Sequence, residues 1–240
     1  MTVRARAHRD TSTSQAGASG AAGVGAGGGS GVEAPPILAY AREPANLCTL
    51  LGLGLALGAV VLALRGDFTA SVVMALWALL CDWYDGLIAR ATGGSSPAGR
   101  AYGAQLDALV DIVAFGVWPG LFLYALGGFS SWLLPGLFIL MLAGVIRLSY
   151  FGVHGLDNRG PHPRYIGLPM DYLTLLFAVV FAAHRLLPHR LLLFVLYGGI
   201  VVGAALMVSS LRTPKLQGPW YAVYTGFVSA LTVLFAVRIL

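Results

Sequence analysis

Four aspartates lie inside otherwise apolar sequence, and their spacing suits them to chemistry. They form two pairs, Asp82 with Asp85 and Asp107 with Asp111, separated by three and four residues. On helices these spacings put both members of a pair on one face. Four carboxylates facing lipid would cost roughly 10 kcal/mol or more, so we expect them to face one another, water or cations. Because converging carboxylates repel, a divalent metal site in a membrane cavity is the first interpretation.

The composition is that of a membrane protein. Of 240 residues, 58% are hydrophobic and only 10% are charged, which is too apolar for a soluble domain of this size. The net charge of +5 comes from basic residues scattered singly, without a stripe that would follow a phosphate backbone, so no nucleic acid partner is predicted. Cys48 and Cys81 lack zinc-ligand spacing and are interpreted as packing residues.

Apolar runs of bilayer-crossing length recur from residue 46 onward. They predict an all-α fold, a polytopic membrane helix bundle of about six to eight transmembrane helices. His184 to Arg190 could be a tight turn or an interfacial break. Residues 1–36, rich in Gly, Ser and Ala, predict a disordered cytoplasmic tail before a membrane domain over 37–240. The candidate spans are 46–64, 70–90, 103–126, 132–151, 170–187, 190–210 and 220–238.

The distribution of Lys and Arg predicts the orientation. With a cytoplasmic N-terminus, eleven basic residues lie on that side and four lie opposite, a positive-inside bias. The aspartates then lie near the cytoplasmic ends of the second and third helices, within reach of cytosolic substrates. The cytoplasmic set is Arg4, Arg6, Arg9, Arg42, Arg90, Arg100, Arg147, Arg159, Arg164, Arg212 and Lys215. The opposite set is Arg65, Arg185, Arg190 and Arg238.

The aspartates belong to a longer pattern, D-x2-D-G-x2-A-R followed by G-x3-D-x3-D. It resembles the signature of the CDP-alcohol phosphotransferase family, with every fixed position filled. The family usually has a shorter spacer between the two parts than the twelve residues from Ala91 to Tyr102. This Gly-, Ser- and Pro-rich spacer is interpreted as a longer cytoplasmic loop. The fixed positions are Asp82, Asp85, Gly86, Ala89, Arg90, Gly103, Asp107 and Asp111.

Further segments are similar to the phosphatidylserine synthase branch of that family. Asn46 and Thr49 match a P-N-x-x-T opening of the first helix, although Ala45 stands where proline is common. The other matching segments are GAQLDALVDIVAFGVWP over 103–119, Gly-Leu-Pro over 167–169 and Met-Val-Ser-Ser-Leu-Arg over 207–212.

The resemblance implies transfer of a phosphatidyl group from CDP-diacylglycerol to a small alcohol, with L-serine favoured, and release of CMP. It implies that Asp82, Asp85, Asp107 and Asp111 hold two divalent ions, Mg²⁺ or Mn²⁺, and that Asp111 is also the general base. The glycines and Ala89 would leave space for the nucleotide. A membrane-embedded homodimer is also implied. The predicted nucleotide- or substrate-binding residues are Asn46, Thr49, Gly86, Ala89, Arg90 and Gly103.

Other polar and aromatic residues have two interpretations each. Arg90 is either a substrate contact or a snorkelling anchor. Arg147, Arg164 and Arg212 could contact an acceptor or a lipid phosphate, or could be positive-inside anchors. Asp171 is interpreted as a first-turn acid of its helix. Trp83, Trp118, Trp132 and Trp220 are interpreted as interfacial aromatics.

Three alternatives to serine transfer are open. The same reaction could use glycerol 3-phosphate, an inositol compound or choline, although phosphorylated acceptors would require an additional basic cluster. A divalent-cation transporter would use the aspartates for translocation, and it predicts carboxylates spread along a path. An inactive membrane scaffold would not need all eight fixed positions.

Overall fold

The computed structural model describes residues 36–93, 96–157, 163–215 and 218–239. The predicted tail, apart from Pro36, and Arg159 lie outside these ranges, within which nine α-helices account for most residues. The helices are α1 Ile37–Ala41, α2 Pro44–Leu64, α3 Phe68–Thr92, α4 Pro97–Asp111, α5 Trp118–Leu126, α6 Leu134–His154, α7 Met170–Ala182, α8 His189–Met207 and α9 Trp220–Ile239. The other elements are a π-helical segment Ile112–Val117, a 3₁₀ turn Ser131–Leu133, and strands β1 Arg164–Ile166 and β2 Arg212–Pro214.

Within the described ranges, six helical stretches are long and apolar enough to cross a membrane, which confirms the all-α bundle. The predicted fifth span was too long. Helix α7 has 13 residues and ends at Ala182, and the chain then turns through 183–187 before Pro188. At 1.5 Å per residue this helix is only about 20 Å long, shorter than a bilayer core. The spans are Pro44–Leu64, Phe68–Thr92, Pro97–Leu126, Ser131–His154, His189–Met207 and Trp220–Val237.

Helices α2 and α3 pack closely because the face that each presents to the other is built from small residues. Lipid supplies no hydrophobic force between helices, so close backbone approach and van der Waals contact must stabilise the pair. A Cβ at Gly52 would lie 3.1 Å from the Cβ of Cys81, and one at Gly58 would collide with the end of Met74. Gly54 has nothing within 4 Å of its Cβ position, so of the predicted G-x-x-x-G only Gly58 packs.

A buried aromatic group connects α5 with α7. Trp118 is fully buried, so its interpretation as an interfacial aromatic was wrong. Its indole Nε1 donates to Ser71 Oγ at 3.0 Å, and Ser71 donates onward to the carbonyl of Ala59 at 2.6 Å. Phe122 packs edge-on against Phe177, with ring centroids 5.4 Å apart. These contacts hold α2, α3, α5 and α7 together below the aspartates.

The spacer between the two parts of the signature is largely helical, which corrects its interpretation as a long loop. Ala91 and Thr92 complete α3, and residues 97–102 form the beginning of α4. Ser96 Oγ accepts a hydrogen bond from the amide of Gly99 at 3.0 Å, and Pro97 occupies the first helical position. Serine at the N-cap followed by proline is a strong start signal, so the added residues lengthen α4 instead of the loop.

The stretch from Pro97 to Leu126 is continuous, although its hydrogen-bonding pattern changes directly after Asp111. Residues Ile112–Val117 form a π-helical segment, and α5 resumes at Trp118. Such segments are frequent at functional sites. Here the π-segment separates the part that carries the aspartates from the part that packs the aromatic core.

Two short strands form a ribbon that the sequence did not predict. β1 and β2 pair antiparallel, with Tyr165 opposite Thr213. Three-residue strands are too short to show a periodic pattern. Gly167 follows β1 at φ +80°, and a Cβ there would collide with the carbonyl oxygen of Met207. The ribbon joins the connection before α7 to the connection before α9, and it brings Tyr165 near Lys215.

Candidate active site

Three of the four aspartates converge between α3 and α4. Asp82, Asp107 and Asp111 each offer a carboxylate oxygen, and these atoms all lie within 4.8 Å of one another. Asp107 and Asp111 are one helical turn apart, so both face α3, as the spacing predicted. We call these three residues the acidic cluster. The transporter alternative predicts carboxylates spread along a path. The convergence of these three aspartates does not fit that alternative.

The acidic cluster has the chemistry of a site for hard divalent cations. Carboxylate oxygens are the ligands that Mg²⁺ and Mn²⁺ prefer. Asp111 Oδ1 is buried and has no hydrogen-bond partner among the described residues. A buried carboxylate oxygen without a donor is costly, and a cation would satisfy it. The residues present therefore fit the predicted metal.

Asp85 lies one helical turn away from Asp82 and outside this group of three. It is buried, and one of its carboxylate oxygens accepts a hydrogen bond from Thr49 Oγ1 of α2. Thr49 is itself buried, and its hydroxyl also lies 3.1 Å from the carbonyl of Ala45. The side chain of Asp85 is thus oriented by α2 and faces the adjoining cavity.

A cavity of about 480 Å³ adjoins the acidic cluster, and we call it the large cavity. All six residues predicted to bind nucleotide or substrate line it, together with Asp85 and Asp107. Its volume lies within the range of small-molecule and cofactor sites. The lining residues are Glu43, Ala45, Asn46, Thr49, Asp85, Gly86, Ala89, Arg90, Gly93, Gly99, Arg100, Gly103, Ala104 and Asp107.

Close approach of α2 and α4 in the large cavity depends on Gly103. A Cβ at this position would lie 3.0 Å from Asn46 Oδ1. Asn46 is buried, and its Nδ2 donates to the carbonyl of Tyr40 at 2.8 Å. A Cβ at Gly86 would be 3.5 Å from Arg90 Nη1, an ordinary contact distance. The missing side chain at Gly86 therefore opens space toward the cavity and does not relieve a clash with another helix.

Arg90 lies where the end of α3 meets α9. Its guanidinium lines the large cavity, and Nη2 donates to the hydroxyl of Tyr221 at 3.1 Å. This placement favours a role at the cavity over a snorkelling anchor. Tyr221 also lines a second cavity.

The second cavity, of about 60 Å³, contains residues to which the sequence assigned no site. Asp171 Oδ2 accepts a hydrogen bond from Trp83 Nε1 at 2.9 Å, and the Trp83 ring lies 3.9 Å from that of Tyr224. Trp83 is therefore part of an interior wall and not an interfacial anchor, and Asp171 is more than a first-turn acid. We call this space the aromatic cavity. Its lining residues are Trp83, Tyr165, Asp171, Tyr172, Lys215, Tyr221 and Tyr224.

Two groups near the aromatic cavity lie outside the membrane-spanning helices and have shifted pKa values. Burial, with a smaller contribution from Arg90, lowers the pKa of Lys215 below its ordinary value, although Asp107 opposes this shift. Burial and the charge of Asp171 raise the pKa of Tyr165, so its hydroxyl stays protonated. Lys215 Nζ lies 5.8 Å from the centroid of the Tyr165 ring.

The three arginines predicted as acceptor or lipid contacts occupy different environments. Arg147 of α6 is buried, lies 5.7 Å from the Tyr165 ring centroid, and has an Nε without a hydrogen-bond partner among the described residues. Arg212 is exposed and lies 3.4 Å from Asp157. Arg164 is exposed on β1. None of the three lines the large or the aromatic cavity, so their substrate contacts stay predictions.

The acidic cluster and the large cavity coincide with a match to a known family. A family model described as CDP-alcohol phosphatidyltransferase matches residues 43–213, most of the chain. The chain belongs to the CDP-alcohol phosphatidyltransferase family. With six helices of spanning length, it is an integral membrane protein. The family match ends before Lys215, Tyr221 and Tyr224, which form one side of the aromatic cavity.

Several relatives in this family are named for serine transfer. An archaetidylserine synthase of Methanothermobacter thermautotrophicus is 31% identical over 161 residues, 66% of this chain and 64% of the relative. A CDP-diacylglycerol–serine O-phosphatidyltransferase of Helicobacter pylori is 29% identical over 180 residues, 72% of each chain. One of the same name from Methanocaldococcus jannaschii is 37% identical over 138 residues, 57% of this chain and 60% of the relative. The chain thus spans less than two thirds of both archaeal relatives.

Proposed function

We propose that this protein transfers the phosphatidyl group of CDP-diacylglycerol to the hydroxyl of L-serine, giving phosphatidylserine and CMP. The hydroxyl oxygen forms a bond to the phosphorus that carries the diacylglycerol oxygen. The bond from that phosphorus to the bridging pyrophosphate oxygen breaks, and CMP leaves with the electron pair. The observation that carries the proposal is the convergence of Asp82, Asp107 and Asp111 within 4.8 Å beside the large cavity.

The large cavity supports the proposed placement of the cytidine diphosphate portion. Gly86, Ala89 and Gly103 present little side chain there, so a nucleotide could approach the helix backbones. Arg90 offers a planar set of donors that suits phosphate oxygens. Asn46 and Thr49 form the opposite wall on α2.

Asp111 is the proposed general base. A serine hydroxyl is a weak nucleophile at neutral pH, so a positioned carboxylate that takes its proton should matter. Asp82, Asp107 and Asp111 are also the proposed holders of two divalent ions, with Asp85 completing the set from the large cavity. Ions of the magnesium or manganese type, when bound, would neutralise negative charge that develops on the departing CMP.

The acceptor choice rests on the relatives. Proteins named CDP-diacylglycerol–serine O-phosphatidyltransferase match 72% of this chain in one case and 57% in another. Glycerol 3-phosphate, inositol compounds and choline are the alternatives within the family. A homodimer, which the family resemblance implies, is part of the proposal and is checked by light scattering in detergent.

We propose further that the site opens to the cytoplasm, as the positive-inside bias indicates. Arg42 lies at the end of α1 near the large cavity, and Arg190 lies at the start of α8. Cysteines replacing each arginine, in a background with Cys48 and Cys81 changed to alanine, would report the two faces. A membrane-impermeant maleimide should label Arg190→Cys in intact cells, and Arg42→Cys only after permeabilisation. The reverse pattern would overturn the orientation.

The reaction is tested by direct assay of the purified protein. CDP-diacylglycerol and Mg²⁺ or Mn²⁺ would be supplied with each candidate alcohol in turn, and CMP and lipid product would be measured. We expect phosphatidylserine, and no product after chelation of the metal. If CMP is released without an acceptor, and no acceptor increases that release, the transferase proposal is refuted. Product from inositol or glycerol 3-phosphate, but not from serine, would refute the acceptor choice alone.

A further inference from the structure

The aromatic cavity is small compared with the bulkier candidate acceptors. Its volume of about 60 Å³ accommodates roughly four to six water-sized groups. Serine and choline are of similar size and would each extend partly toward the acidic cluster, whereas an inositol ring is much larger than this space. The cavity therefore selects by size against the bulkier alcohols in this family's range.

The charged groups of the aromatic cavity have opposite signs. Asp171 and Lys215 both line it, one from the beginning of α7 and the other from the segment after β2. Trp83 holds one carboxylate oxygen of Asp171 by the 2.9 Å hydrogen bond, so this side chain has a fixed orientation. One carboxylate and one ammonium line the cavity and are complementary to a zwitterion, and the buried Arg147 lies near the same space, 5.7 Å from the Tyr165 ring centroid.

The walls of the aromatic cavity favour a cation beside Asp171. Trp83 and Tyr224 pack with ring centroids 3.9 Å apart, and Trp83 is hydrogen-bonded to the carboxylate. Aromatic faces attract ammonium groups within about 6 Å, and they do so more strongly where water is excluded. Tyr172 adds a second phenol to the same wall, and its hydroxyl donates to the carbonyl of Pro214 at 3.2 Å.

Residues of both cavities neighbour the acidic cluster. Asp107 belongs to the cluster and lines the large cavity, and its charge also acts on Lys215 of the aromatic cavity. Asp82 precedes Trp83, so neighbouring residues of α3 serve the cluster and the aromatic cavity. In-line displacement at phosphorus needs the attacking oxygen and the leaving oxygen on opposite sides. The proposal below therefore requires the acceptor to enter from the aromatic cavity and the nucleotide to enter from the large cavity.

We propose that the aromatic cavity is the acceptor subsite, where Asp171 with its aromatic neighbours binds the ammonium of an amino acid and Lys215 binds its carboxylate. This inference rests on the proposed function. It assigns the selection of serine to residues that the signature does not contain, three of which lie beyond the family match. The hydroxyl of the bound amino acid would then face Asp111.

Lys215 is the only lysine of the chain, and this gives a binding measurement independent of turnover. The Asp111→Asn variant would be treated with an amine-acylating reagent in the presence of CDP-diacylglycerol, and the peptide that contains Lys215 would be quantified by mass spectrometry. We expect millimolar L-serine to slow acylation of Lys215. Glycerate, which lacks the ammonium, and ethanolamine, which lacks the carboxylate, should protect less. Equal acylation with and without serine would overturn the proposal.

Substitutions separate the two charged contacts. Asp171→Asn should raise the KM for L-serine about 10- to 100-fold and leave the KM for CDP-diacylglycerol within about twofold, because only the ammonium contact is lost. Lys215→Met should raise the KM for L-serine but not the KM for ethanolamine, which lacks the carboxylate. Asp67→Asn is the matched control, because it makes the same acid-to-amide change in the turn before α3, at the N-terminal end of that helix. Its serine KM should equal that of the wild type.

A structural role for Asp171 gives a different result. If Asp171 only accepts the hydrogen bond of Trp83, Asp171→Asn would leave the serine KM unchanged, because the amide oxygen can still accept that bond. Should Asp171→Asn fail to fold, Tyr224→Leu replaces it, because this change removes an aromatic face and retains the carboxylate. An unchanged serine KM in the folded variant overturns the subsite. Wild-type protein that uses another alcohol and not serine would instead refute the choice of serine in the proposed function.

Discussion

Arg90 Nη2 donates a hydrogen bond to the hydroxyl of Tyr221, 3.1 Å away, across the gap between α3 and α9. Arg90 lines the large cavity and Tyr221 lines the aromatic cavity, so this bond joins the walls of the two spaces. An arginine in the signature is thereby oriented by a residue beyond the family match. The guanidinium is exposed, so this hydrogen bond orients the side chain and adds little stability.

Removal of that hydrogen bond should weaken nucleotide binding. We expect Tyr221→Phe to raise the KM for CDP-diacylglycerol by about two- to tenfold, because the guanidinium loses one orienting partner. Tyr84→Phe is the matched control, since it removes the 2.8 Å bond of Tyr84 to Thr225 between the same two helices and leaves the bond between Arg90 and Tyr221 in place. Steady-state kinetics at saturating serine would measure both. Equal KM values in the two variants would show that Tyr221 does not orient Arg90.

Loss of the proposed base should stop turnover without unfolding the protein. Asp111→Asn retains the shape of the side chain but cannot take a proton, so we expect the rate of CMP release to fall at least about 10³-fold. Its buried Oδ1 has no partner to lose among the described residues, so thermal stability should be nearly unchanged. CMP release and a melting curve would be recorded on the same preparation. Near wild-type turnover would remove Asp111 from the role of base.

A side chain at position 103 should lower the affinity for CDP-diacylglycerol. The Cβ of Gly103→Ala would lie 3.0 Å from Asn46 Oδ1 and would push that side chain within the large cavity. We expect a higher KM for CDP-diacylglycerol and an unaltered KM for serine. Gly54→Ala is the control, since no atom lies within 4 Å of its Cβ position. That control should stabilise the protein slightly, by up to about 1 kcal/mol, because alanine favours a helix.

Lys215 should react with amine reagents at a lower pH than an ordinary lysine. Burial and Arg90 disfavour its charged form, so its pKa is lowered and the neutral, nucleophilic amine becomes populated at lower pH. Because the unfolded chain binds this proton more tightly, the contribution of Lys215 to stability rises as the pH increases from its folded pKa toward 10.5. Acylation rates across a pH series, for native and denatured protein, would test this. Coincident profiles would contradict the shift.

The acidic cluster was predictable because it depends on local geometry. The i, i+3 and i, i+4 spacings put the aspartates on one face of α3 and one face of α4. Because exposure of carboxylates to lipid is costly, these two faces were expected to point toward each other. The start of α4 was also encoded, by Ser96 and Pro97, but the small residues around them suggested a loop. The end of α7 was flagged only by the polar stretch after Ala182.

The aromatic cavity was not predictable from one sequence. Trp83 and Asp171 are 88 positions apart, and each has an ordinary local interpretation as an interfacial aromatic and a first-turn acid. Lys215 reaches the same space through pairing of β1 with β2, and three-residue strands leave no periodic signal. Such a site follows from tertiary contacts between helices and loops, which spacing rules do not contain.

The π-helical segment between Asp111 and Trp118 sets the rotation of the part of the helix that carries the aspartates relative to the part that packs into the aromatic core. Each residue of an α-helix turns the chain by about 100°. The widened turn absorbs added residues, so the helix presents Asp107 and Asp111 to α3 while it directs Trp118 and Phe122 into the aromatic core. Deletion of a single residue within 112–117 would rotate the part that carries Asp107 and Asp111 by about 100° relative to the part that carries Trp118 and Phe122. This short stretch therefore admits changes of residue type far more readily than changes of length.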